Sequence, residues 1–175
     1  MNRQTLTHTW TDLLRQTEQL VRLRLRAYFA PGDARTDEQP HWAVRDDGSY
    51  CWMCLRQATD TEKTLLMLSL APHPHPAFYD RIIQDFLPNG GDIIEMGGVK
   101  NAGNHRGFLP TGETALFIIA GGNIEKRMEV QRLLMGESQL VKQGVIYLEA
   151  VKEGEPPMSG RLVVTPEWLS KLLLG

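Results

Sequence analysis

Cysteine is scarce in this chain: two in 175 residues, Cys51 and Cys54, too few for a disulfide framework. No apolar run approaches the roughly 20 residues that cross a bilayer, so a membrane-spanning helix is excluded. The N-terminus, MNRQTLTHTW, lacks the apolar stretch of a secretory signal. A cytoplasmic protein is therefore expected. Charge of one sign is also missing. With 19 Lys and Arg against 21 Asp and Glu, the formal net charge is -2, which argues against a chain built to neutralise nucleic-acid phosphates or to lie on an anionic membrane. Nor is there a Gly-Lys dipeptide anywhere. A phosphate loop, G-x-x-x-x-G-K-[ST], needs that lysine to neutralise charge while backbone N-H groups cradle the phosphates. ATP hydrolysis by this chain is excluded on that ground.

What is present is ordinary for a globular protein, at 42% hydrophobic and 23% charged residues. The length suits one large or two small domains. At about 100° per residue, Trp10, Leu13, Leu14, Thr17, Val21, Leu25 and Tyr28 fall on one side of a long amphipathic helix running from Trp10 to Phe29. Arg24 intrudes into that stripe. Pro31 and Gly32 end the helix, and the segment Ala30 to Gly48, with Pro40 and five acidic residues, is the best linker. Three segments follow from this: a long helix with linker over 1-48, a helical subdomain with a glycine-rich loop over 49-107, and a C-terminal domain over 108-175.

Tyr50 to Leu55 reads as a short strand. Thr59 and Glu62 have capping-box spacing for the helix Glu62 to Leu70, whose LLMLSL run marks it as core. Prolines 72, 74 and 76 stop it, and Pro76 opens another helix to Phe86. The stretch Leu87 to Gly107 holds six glycines and reads as irregular loop. Then comes the most structured text in the sequence. Gly107 to Gly122, GFLPTGETALFIIAGG, is a helix start, an apolar helix and a double-glycine stop. Asn123 caps a second helix, Ile124 to Met135, which Gly136 ends. Val145 to Val151 and Arg161 to Val164 make a hairpin around Pro156 and Pro157, and Thr165-Pro166 opens a last helix. Helix, helix, hairpin is the outline of a winged helix-turn-helix, so the expected class is α+β, mostly helical, with a winged-helix-like C-terminal part.

From Leu65 onward the residues resemble a known family. The pieces LLMLSLAPHPHPAFYDRII, GFLPTGETALFIIAGG and VIYLEAVKEGEPPMSGRLVVTPEWLSKLLLG are similar to the region N-terminal to the ATPase core in a group of bacterial AAA+ ATPases, some found with phage-tail-like contractile injection particles. The resemblance covers about the last two-thirds of the chain. It implies an ATPase domain after Gly175, where ATP and Mg²⁺ would bind, and no cofactor in this chain itself. It also implies a protein partner or the neighbouring ATPase domain as the ligand, and the ring assembly of such ATPases would permit self-association.

Several residues invite sharper readings. Lys100, Asn104, His105 and Arg106 lie among Gly97, Gly98, Gly103 and Gly107, so a glycine-rich backbone with positive charge is a candidate anion or partner site. The alternative is a basic surface loop. Cys51-Trp-Met-Cys54 has redox and metal spacing, yet zinc would need two more ligands, and only His41, His73 and His75 are near. Buried thiols are the simpler account. Glu113 and Glu125 each sit in a first helical turn, where a carboxylate complements the dipole. No catalytic set emerges. The expected function is a non-catalytic partner-recognition or assembly domain. Its rivals are a DNA-binding winged helix, opposed by Glu125, Glu129, Glu149, Glu153 and Glu155, and a small CxxC redox protein.

Overall fold

The computed structural model of the chain describes residues 3–32, 42 and 55–174, with side chains from Trp10 onward. Its first element is the long helix α1, Arg3–Phe29. Leu13, Val21 and Leu25 on its expected apolar face are fully buried, Leu20 nearly so, and Thr17 hides its hydroxyl by donating to the Leu13 carbonyl at 2.7 Å. Tyr28 departs from that expectation, being 45% exposed where the helix runs out past the core. Trp10 Nε1 reaches the far end of the chain, donating to the Leu172 carbonyl at 3.1 Å.

Helix α2, Asp60–Leu70, begins at the capping box read from the sequence, with Thr59 as N-cap and Glu62 answering it. Every residue from Thr64 to Leu70 is buried, which is why the segment is apolar on all sides. Helix α3, Phe78–Phe86, follows the proline run and locks onto α2 when Tyr79 donates its hydroxyl to the Leu68 carbonyl at 2.6 Å. The glycine-rich stretch then makes a 3-10 turn, Ile94–Met96, and a narrow loop closed by paired hydrogen bonds between Val99 and Leu109, at 2.9 and 2.8 Å.

Helix α4, Gly112–Ala120, starts at a second capping box, Thr111 with Thr114, and is buried along almost its whole length. Helix α5, Ile124–Arg132, starts at Asn123, whose side chain accepts from Lys126 N at 3.0 Å. The expected continuation to Met135 is corrected here. The α-helix ends at Arg132 and widens into a π-helical turn, Leu133–Glu137, inside which Gly136 leaves helical geometry at φ 131°. A short helix absent from the sequence reading, α6 over Gln139–Lys142, is then started by Ser138.

Strands β1, Ile146–Leu148, and β2, Leu162–Val164, pair antiparallel with Ile146 opposite Val164. They are shorter than the sequence suggested, and the connection between them carries a 3-10 turn, Pro157–Ser159. Just before α4, Thr111 bridges to Arg161, the Pro110 carbonyl accepts from Leu162 N at 2.9 Å and the Gly160 carbonyl accepts from Gly112 N at 3.0 Å. Helix α7, Pro166–Leu174, completes the described chain. The molecule is thus α+β and mostly helical, with a two-stranded hairpin near its C-terminus. One hydrophobic cluster runs from Leu13 to Leu172 and draws on all three segments distinguished in the sequence. Within the acidic stretch read as a linker, Trp42 is 5% exposed and donates to Thr64 Oγ1 at 3.0 Å, so this one residue belongs to the core. Among the described residues no helix is long and apolar enough to cross a membrane.

Candidate functional site

The glycine-rich loop divides its polar residues. Lys100 Nζ pairs with Asp92 Oδ1 at 3.0 Å on the rim of a cleft of about 280 Å³ floored by Ile83, Ile93, Met96 and Phe108. The backbone then reverses through Asn101 and Gly103, both at positive φ. His105 lies on the other side of that turn, near Asp80 and Gly107: a Cβ added at Gly107 would stand 2.8 Å from Asp80 Oδ2 and 3.1 Å from His105 Nε2. Asp80 is itself engaged, accepting from Phe108 N at 2.9 Å. His105 Nε2 is buried and has no hydrogen-bond partner among the described residues. Asn104 and Arg106 are exposed. Lys100 is thus engaged with Asp92, while His105 is tied across the turn by its N-H donating to the Ala102 carbonyl at 3.2 Å. Nearby, partial desolvation and then His105 hold His73 below the usual histidine range, although the residue as a whole lies exposed at the surface.

Cys51, Cys54 and His41 lie outside the described residues, as does the Tyr50–Leu55 strand apart from Leu55, which is helical. Among the described residues no three His, Cys, Asp or Glu side chains gather where they could hold a metal.

A second cleft, of about 540 Å³, opens between the end of α1 and the α4–α5 turn, with Arg24, Tyr28, Phe117, Asn123 and Arg127 in its wall. Two cations at a helix junction suggest an anion, but both are turned inward. Arg24 donates to the Ile118 and Ile119 carbonyls at 3.0 and 3.3 Å. Arg127 donates to the Gly121 carbonyl at 2.6 Å and stands 3.8 Å from Glu95. Both charges sit at the C-terminal, negative end of the α4 dipole and satisfy carbonyls that the helix leaves open. The intrusion of Arg24 into an apolar stripe is explained by this cap.

The outer face of α5 is different in kind. Val130 turns inward and is buried, while Ile124 and Met128 on that outer face, and Met135 just beyond the helix, are mostly exposed. At about 100° per residue Ile124 and Met128 fall within about 40° of each other, and Glu125 and Arg132 line the neighbouring edge. These residues were visible in the sequence, but their exposure was not: a helix with apolar residues on two faces does not say which face the fold covers.

Compared with protein-family models, curated proteins and solved structures, the chain matches none of them.

Proposed function

We propose that the chain is a non-catalytic, winged-helix-like protein-binding module, the partner-recognition or assembly domain of an AAA+ ATPase. The observation that carries this reading is the outer side of α5 and its continuation, where Ile124, Met128 and Met135 are 66%, 56% and 63% exposed. Ile124 and Met128 share one exposed helix face, large apolar side chains so placed mark a contact surface, and methionine is enriched at protein interfaces.

The connectivity supports the winged-helix part. Helix α3, the isolated bridge at Thr111, α4, α5 with its π-helical turn, the short α6, then β1 and β2 follow one another, with Thr111 paired to Arg161 just before β2. In that order α5 is the helix a DNA-binding module would lay in the major groove. Its charges do not suit phosphate. Arg127 is spent on the Gly121 carbonyl, which leaves Lys126 and Arg132 beside Glu125 and Glu129. In the hairpin connection Arg161 is taken by Glu149 at 2.5 and 2.7 Å, leaving Lys152 beside Glu153 and Glu155. The ATPase part rests on the resemblance of Leu65 to Gly175, in which ATP and Mg²⁺ belong to a following domain.

A photo-crosslinking amino acid at position 128, carried by the full-length protein in its own cells, tests the reading. Polypeptide adducts are expected. Nucleic-acid adducts, or nanomolar duplex binding by the purified chain at about 150 mM salt, would overturn it.

A further inference from the structure

We infer that the outer face of α5 binds a second copy of this chain, the two α5 helices lying antiparallel about a two-fold axis close to Met128. The inference rests on the protein-binding reading above and names its partner.

The outer face of α5 is self-complementary. In a two-fold contact the same patch serves both sides, so residue i meets j wherever j meets i. Two antiparallel helices related in this way bring the same flank together. On α5 one flank carries Glu125 and, two turns or about 10 Å further along the axis, Arg132. Reversing a second α5 about the point between Met128 and Glu129 sets Glu125 of each helix against Arg132 of the other. The opposite edge is apolar and reverses onto itself as well: Met128 meets Met128, and Ile124 meets the end of the partner stripe near Met135.

Three observations make the pattern more than sequence arithmetic. Glu125, Met128 and Arg132 are all exposed on the same side of the helix, opposite buried Val130. Neither Glu125 nor Arg132 has an ion-pair partner among the described residues. By contrast, Arg127, which points to the inner flank, is already engaged with Gly121 and Glu95. The charges left over are those that a second copy would pair. Duplex DNA would pair Arg132 and repel Glu125. A groove of uniform sign would do the same for one of the two.

The surface of one nine-residue helix and its continuation falls short of the roughly 800 Å² per partner of a stable complex. The dimer is accordingly weak, and its fraction rises with concentration through the micromolar range.

Light scattering of the 175-residue chain across roughly 10 to 500 µM should show the mass climbing from 19.8 kDa toward twice that value. Glu125→Arg alone and Arg132→Glu alone each turn two attractions into two repulsions, and each should weaken the dimer roughly tenfold. The double reversal Glu125→Arg with Arg132→Glu should restore it. Because the reversals also oppose the α5 dipole, the variants should melt somewhat earlier than the parent while keeping its helical circular dichroism at assay temperature, and the double reversal, the most opposed to the dipole, should still dimerise better than either single, which separates loss of contact from loss of fold. A monomeric parent throughout the range, or a double reversal no better than the singles, would overturn the two-fold. If the parent is monomeric while position 128 still crosslinks to polypeptide, the two-fold fails and the protein-binding reading stands.

Discussion

Ser138 donates its hydroxyl to Glu62 Oε1 at 2.6 Å, joining the starts of two helices that lie 76 residues apart in sequence. The same oxygen accepts from Gln139 N at 2.8 Å, while Oε2 accepts from the Thr59 backbone N-H and hydroxyl at 3.0 and 3.1 Å. One carboxylate, only 4% exposed, thus uses both oxygens as acceptors and ties α2 to α6.

Glutamine at position 62 offers one acceptor oxygen and one donor NH₂. It can serve Ser138 and Gln139 or Thr59, but not both, and the unserved N-H would face another donor. Glu62→Gln should therefore cost about 1 to 3 kcal/mol, and Ser138→Ala somewhat less. Denaturant melts of the two single variants and the double variant test this. Strict additivity would mean that the 2.6 Å contact contributes nothing.

The same site sets a pH dependence. Burial pushes the Glu62 carboxyl up, but the hydrogen bonds from Ser138, Thr59 and Gln139 outweigh it and hold the group below its ordinary value. The unfolded chain takes up this proton near pH 4.3, whereas the folded chain resists it to lower pH. The stabilisation is thus complete above about pH 4.3 and lost as pH falls below that value. Glu62→Gln should flatten this part of the stability curve, and an unchanged slope would remove Glu62 from the account.

Leu66 and Leu68 are both fully buried in α2. Truncating either to alanine removes transfer free energy and leaves a cavity that the neighbours only partly fill, so each should cost about 2 to 5 kcal/mol. Unchanged melting of both would mean α2 is not core.

What the sequence made legible was local. The capping box of Thr59 with Glu62 spans three residues, and helix geometry alone brings such a pair together, whereas the second box escaped because its returning residue is Thr114 and not the usual Glu or Gln. Glu62 could be read as a capping residue of its own helix; its second oxygen could not, because Ser138 reaches it only through the tertiary fold. Arg24 was visible as an intruder on an apolar face, but its purpose lies on α4. Trp42 sits in a stretch whose prolines and acidic residues read as linker, and an average over composition hides one buried indole. The exposed stripe of α5 escaped for a related reason: Ile124 and Met128 look like core at helical spacing until Val130 is seen to face inward.

The glycine-rich loop is looser at its tip than at its base, and glycine substitutions should reveal it. Gly98 has φ +91°, and an added Cβ would overlap the Phe108 ring, whereas Gly103, at φ +62°, has nothing within 4 Å. Gly103→Ala carries only the left-handed backbone penalty, about 1 kcal/mol. Gly98→Ala adds the displacement of a buried ring and should cost clearly more. Equal losses in thermal melts would contradict a packed base.

Arg24 tests the largest claim about α1, that it belongs to the same folding unit as α4. Its guanidinium reaches two carbonyls at the end of α4 across 94 and 95 positions of sequence, and a Cβ on Gly121 would come within 2.6 Å of Nη1. Arg24→Met keeps much of the aliphatic stem but leaves both carbonyls without this donor, a loss of about 1 to 3 kcal/mol. Arg24→Lys keeps the charge near the helix end yet lacks the planar fork that spans two acceptors, so it should recover only part of that loss. Gly121→Ala, which must move Arg24 and also strain a backbone at φ +53°, should destabilise in the same direction and should be less than additive with Arg24→Met, since the two act on one contact. Amide exchange gives the sharper readout: in Arg24→Met the amides of α4 and those of the buried face of α1 should lose protection together. Loss confined to α1, with α4 unchanged, would show that the two helices are separate units.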